Sequence, residues 1–158
     1  MSGHDPFYER FSPRVLLLIT FLAVPLVVGG CRSINGSPLA ETVRPTEPFC
    51  VARHEKDERN LAVQVAESLS ERGMPARAVD VDQCPADDPY RVTYIDNWSW
   101  DMRMYLAKMT IEVIDTRSGE IVAYGESKQG SLGAMGMSHR DVIDRAVSAL
   151  LDSAKTDP

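Results

Sequence analysis

The chain has no run of about 20 apolar residues, the length a helix needs to cross a bilayer comfortably. Nor is it basic: 17 Lys and Arg stand against 23 Asp and Glu, a net charge of −6. An acidic surface argues against nucleic acid or anionic headgroups as charge-recognised partners. Catalytic motifs are missing as well. His54-Glu55-Lys56-Asp57-Glu58 puts Glu58 where the HExxH zinc motif needs its second histidine, and no GxSxG nucleophile elbow occurs. Gly130, Gly133 and Gly136 do not spell GxGxxG. Such glycines before a helix can hold an anion, but a mobile hairpin-to-helix loop is the plainer reading and the one we adopt. No internal repeat is present. We therefore expect no resident metal, no cofactor and no enzymatic activity.

What the chain does have is an apolar stretch from Val15 to Val28 that ends in Gly29-Gly30-Cys31 and is preceded by Arg10 and Arg14. It is too short for a comfortable transmembrane helix, and Pro25, Gly29 and Gly30 suit a cleavable segment. Small residues followed by cysteine resemble the lipobox of bacterial lipoproteins. That resemblance implies cleavage before Cys31, a diacylglycerol on its thiol and an acylated new amine. Several acyl chains anchor a protein durably where one does not. Arg32 follows the lipidated position, where Asp would imply inner-membrane retention in many species. The expected location is the periplasmic face of the outer membrane, with the inner membrane as the alternative.

Residues 1–30 carry two basic and two acidic residues, so the mature charge stays at −6. Residues 31–48, rich in Ser, Pro and Thr, read as a lipidated flexible tether. Residues 49–158 suffice for a single domain. Phe49 to Ala52 reads as a strand. Leu61, Val65 and Leu69, with Ala62 and Ala66 beside them, predict a helix from Asp57 to Arg72 that Gly73 and Pro75 stop. Ala76 to Val81, Tyr90 to Trp100, Arg103 to Asp115 and Glu120 to Ser127 read as strands, the last two joined by the Thr116–Gly119 hairpin turn. A final helix, His139 to Ala154, opens on a Ser138/Asp141 capping-box variant and shows an apolar stripe of Ile143, Ala146, Val147, Leu150 and Leu151. The order β-α-β-β-β-β-α predicts an α+β two-layer sandwich, a mixed, mostly antiparallel sheet of about five strands with both helices on one face.

Cys50 and Cys84 are the cysteines left once Cys31 is acylated, and an oxidising periplasm favours their pairing, two buried thiols being the alternative. If the first two strands are parallel, the chain before Tyr90 must fold back to bring the pair together.

Polar and aromatic chemistry concentrates between Tyr94 and Tyr105. Tyr94, Asp96, Trp98 and Trp100 share one strand face. The Tyr-x-x-x-Trp-Ser-Trp-Asp-x-x-x-Tyr pattern, with Cys50 in the first strand and Cys84 just before the pattern, resembles a family of small Gram-negative lipoproteins called Sbal-type. The resemblance implies an envelope lipoprotein and no particular activity. Trp98 and Trp100, with Tyr94, Asp96 and Asp101, make a candidate platform for a glycan or other small ligand. The plainer reading is that the indoles lie in the core under the helices. Asp96 and Asp101 form a carboxylate pair of the kind glycosidases use only if their side chains converge. Met102/Met104 and Met135/Met137/His139 offer ligands suited to Cu(I), though methionine is ordinarily a core filler. The sequence thus points to a membrane-tethered, non-catalytic accessory or binding module whose partner is an envelope protein or glycan. A ligand-binding protein and a hydrolase are the alternatives.

Overall fold

A computed structural model describes residues 32–37, 43–130 and 137–152; Cys31 and residues 1–30 lie outside them. Six strands, β1 (Arg32–Ser37), β2 (Phe49–Arg53), β3 (Ala76–Asp80), β4 (Tyr90–Asp101), β5 (Arg103–Asp115) and β6 (Ile121–Gln129), form one sheet in the order β1-β6-β5-β4-β2-β3. β2 runs parallel to both β3 and β4, and the other neighbours are antiparallel. Helices α1 (Leu61–Ser70) and α2 (His139–Asp152) close one face over a single core. This is the expected α+β sandwich with one strand more. Among the described residues no helix is long and apolar enough to cross a membrane.

The apolar period explains α1: Leu61, Ala62, Val65, Ala66 and Leu69 are all buried. The helix starts four residues later than its pattern predicts, because Asp57 stands outside it as a cap. Its carboxylate accepts the N–H groups of Leu61 and Ala62 at 2.8 and 2.9 Å, two of the donors a helix start leaves orphaned. The α2 start follows the expected box, with Ser138 N–H and Oγ both donating to Asp141 Oδ2. Arg140 then ties the helices together, reaching Glu67 and Glu71 of α1's last turn and the end beyond it.

The extra strand is where sequence and structure part. Within the stretch read as tether, Arg32–Ser37 pairs antiparallel with β6. Its sequence lacks apolar alternation, but the open edge of β6 supplies unpaired backbone groups. Gly36 also lets α2 come close, since a Cβ there would stand 2.4 Å from the Ala149 carbonyl oxygen.

Cys50 and Cys84 form a disulfide with Cα atoms 5.8 Å apart. Phe49 and Val51 face the core, so alternation turns Cys50 to the other face. There the 3₁₀ turn Val81–Gln83 reverses the chain after β3 and brings Cys84 back over it.

The helix-free face carries a buried charge. Glu126 is 5% exposed and accepts from Lys108 and Lys128, both at 2.7 Å, and from Tyr124 at 2.6 Å. Burial opposes its ionisation, yet the two ammonium groups and the Tyr124 hydroxyl outweigh it and hold the carboxyl down to about 2. A depressed carboxylate stabilises the fold above its unfolded-state value and loses that contribution as pH falls from about 4.5 towards 2. We expect the wild type to lose about 1 to 2 kcal/mol more than Glu126→Gln between pH 5 and pH 2.5, allowing for solvent screening at the lysines. Urea unfolding at the two pH values measures the difference, and parallel losses in both proteins would refute it.

Candidate functional site

The end of the sheet where β2 and β3 finish gathers the chemistry. Both helices begin there, and β4 and β5 run on together to a hairpin whose turn residue is Met102, at φ 59°. The sheet register steps between Asn97 and Trp98.

β2 covers β4 only as far as Val92, which leaves the edge of β4 open from Tyr94 onward. The 54–60 loop folds into this gap. His54 Nε2–H donates to the Tyr94 carbonyl, and the imidazole lies edge-on to the Tyr94 ring with centroids 4.5 Å apart. Tyr94 itself is buried, and its hydroxyl donates to Asp57 Oδ2 at 3.0 Å. Burial, reinforced by Asp57, holds that hydroxyl protonated well above the ordinary tyrosine range. For Asp57 burial again opposes charge, but the Ala62 and Leu61 N–H groups and Tyr94 prevail, and its pKa is lowered. A hollow of about 510 Å³ opens above, lined by His54, Lys56, Asp57, Tyr94 and Asp96. It lies at the carboxyl ends of parallel strands, where α/β sheets commonly bind ligands. Asp57 is nevertheless spent on capping α1, and a carboxylate so stabilised is a poor general base.

Tyr94, Asp96, Trp98 and Trp100 do share the helix-side face, but the two indoles meet different surroundings. Trp98 is half-buried: its Nε1–H donates to Asp96 at 2.7 Å, and the Arg59 guanidinium covers one ring face at 4.1 Å from the centroid. His139 approaches it with ring centroids 6.2 Å apart. Trp100 is 69% exposed. One indole is thus committed to the fold and one is free, so the pair does not form a continuous stacking platform. Asp96 and Asp101 are not a carboxylate pair: five residues of strand separate them by about 16 Å and turn them to opposite faces.

A second hollow of about 230 Å³ lies beside Trp98 and brings Met104, Met137 and His139 together, with Arg103 and Gln129 in its wall. Their meeting is what a soft-metal site requires, but Arg145 donates to the Met137 sulfur at 2.9 Å and sets a guanidinium against the thioether a metal would need. Met135, Gly133 and Gly136 lie outside the described residues. At the start of α2 the Asp141 carboxylate accepts from the Ser138 N–H and Oγ.

Sequence reasoning did not find the His54–Asp57–Tyr94 cluster. An Asp shortly before an apolar helical period is a capping signal, so Asp57 was findable. His54 was not, because its partner lies 40 residues away.

No protein-family model and no curated protein sequence matches the chain. Solved structures do. The PelC dodecamer from Paraburkholderia phytofirmans is similar at 13% identity with a TM-score of 0.55, over 76% of this chain and 97% of that one. A single-substitution variant of the same dodecamer is similar at 14% identity with a TM-score of 0.56, over 75% and 98%. At such identity the likeness establishes the fold.

Proposed function

We propose that the chain is a lipid-anchored, non-catalytic binding module of the bacterial envelope, held by acylated Cys31 on the periplasmic face of the outer membrane. One observation carries the reading: β1 begins at Arg32, next to the lipobox cysteine, and is stitched into the sheet. An acyl chain on Cys31 then holds the folded domain against the bilayer instead of at the end of a long tether. The Cys50–Cys84 disulfide supports an oxidising compartment. The absence of a catalytic role rests on Asp57 being spent as a cap and on Asp96 and Asp101 standing apart. The similar PelC is a dodecamer, so the partners we propose include further copies of this chain. The second reading, a glycan bound at the aromatic strand, keeps Trp100 as its exposed ring and the Asp96-lined hollow four residues back along β4.

Cys31→Ser should release the protein from membranes or leave an uncleaved precursor. Mature-sized protein that stays in the membrane fraction would contradict the anchor. Density-gradient fractionation reads the membrane, and co-migration with inner-membrane markers alone would overturn the outer-membrane assignment.

A further inference from the structure

The β4–β5 hairpin ends in a cluster of water-facing apolar side chains. Trp100, Met102 and Met104 are 69%, 94% and 51% exposed, and Trp100 and Met104 face each other in register. Met102 occupies the turn at φ 59°, a left-handed conformation that favours Gly, Asn or Asp. Local preference would put a polar residue there, and the chain puts the most exposed large apolar side chain among the described residues.

We propose that this tip is a membrane-contact element that enters the interfacial layer of the same bilayer that anchors Cys31; the proposal rests on acylation of Cys31. The register locates the tip relative to the anchor. Arg32 pairs with Gln129, one step beyond the Lys128–Lys108–Asn97 row, which sets it level with Trp98. From that level the hairpin runs four residues further to Met102, about 13 Å at ~3.3 Å per residue, whereas the single peptide unit that joins Cys31 to Arg32 spans no more than about 4 Å in any direction. With the strands upright on the membrane, the tip stands about 10 Å deeper than the anchored residue, close to the depth that interfacial apolar segments reach. The lateral offset from β1 to β4 is about 14 Å, three strand spacings, so the domain would have to lean by more than roughly 35° to lift the tip clear.

The chemistry fits that depth. Tryptophan prefers the membrane–water boundary, where its ring sits among the headgroups and its N–H stays hydrated. Methionine is flexible enough to fill space between acyl chains. The charges nearest the tip, Asp101 and Arg103, are of opposite sign and paired in register across the turn, so the hairpin carries no net charge into the interface.

The test uses the full-length chain, purified from membranes and reconstituted into phosphatidylethanolamine/phosphatidylglycerol vesicles with or without bromine-labelled acyl chains. In Trp98→Phe, Trp100 is the sole indole. Its emission should shift to the blue, fall at least two-fold with brominated lipid and lose most of its quenching by aqueous acrylamide. If Trp98→Phe unsettles the fold, wild type is compared with Trp100→Phe, which should abolish the bromine-sensitive component. Trp100 that stays open to acrylamide and blind to bromine would overturn the proposal. So would Trp100 shielded from both, with Met102→Cys cross-linking between copies, which would place another protein chain on the tip. The mass of Cys31 in the same sample separates this result from the anchor. Acylated chain without bromine quenching rejects the tip alone, and unacylated chain rejects the anchor on which the tip depends.

Discussion

Gly125→Ala is expected to destabilise the fold by about 3 kcal/mol or more, although it adds a single methyl group. A Cβ at position 125 would stand 2.1 Å from the Ala146 carbonyl oxygen and 3.0 Å from Leu150 Cγ. A helix carbonyl cannot rotate away as a side chain can, so α2 would have to lift off β6. Val142, Ile143, Ala146, Val147 and Leu150 are all buried beneath it, and lifting the helix opens those contacts together. A loss of that size lowers the melting temperature of a domain this size by roughly 12 °C or more. Gly36→Ala meets the same helix, at the Ala149 carbonyl, but on a six-residue edge strand. That strand can peel away, so the cost should be smaller. Thermal unfolding of the three proteins decides it; Gly125→Ala within 3 °C of wild type would show that α2 does not sit on this glycine.

Removing the disulfide is expected to cost at least as much. Cys50 and Cys84 are 34 residues apart, and closing a loop of that length contributes roughly 3.5 to 4 kcal/mol by restricting the unfolded chain. The loop encloses α1 and β3, half of the helical layer and one edge of the sheet. Reductant, or the double substitution Cys50→Ala/Cys84→Ala, should therefore lower the melting temperature by about 14 °C or more. Two thiols titrating in the native, unreduced protein, or a melting curve indifferent to reductant, would contradict it.

Local signals made much of this legible in the sequence. The spacing of Leu61, Val65 and Leu69 gave α1, Ser138 with Asp141 gave the start of α2, and Thr116–Gly119 gave the turn between β5 and β6, with Gly119 at φ 73°. The cysteine pair was readable from the count of cysteines and from the oxidising compartment that the lipobox resemblance implied. β1 was not, because Arg32–Ser37 carries no strand pattern of its own and becomes a strand only against the open edge of β6. The fates of Trp98 and Trp100 were also beyond reach. Alternation put them on one face, but Arg59 and His139, which arrive from elsewhere in the chain, cover the first and leave the second. Tyr94 and Asp57 show the same limit: one reads as half of an aromatic row, the other as the first turn of a helix, and their contact defines both.

The central claim is the anchor, and the intact mass of the protein extracted from the membrane fraction tests it most directly. The account predicts a chain that begins at Cys31 and carries a thioether-linked diacylglycerol and an amide-linked acyl group. A membrane-bound chain that retains residues 1–30, or one that begins at Cys31 with a free thiol, would contradict it.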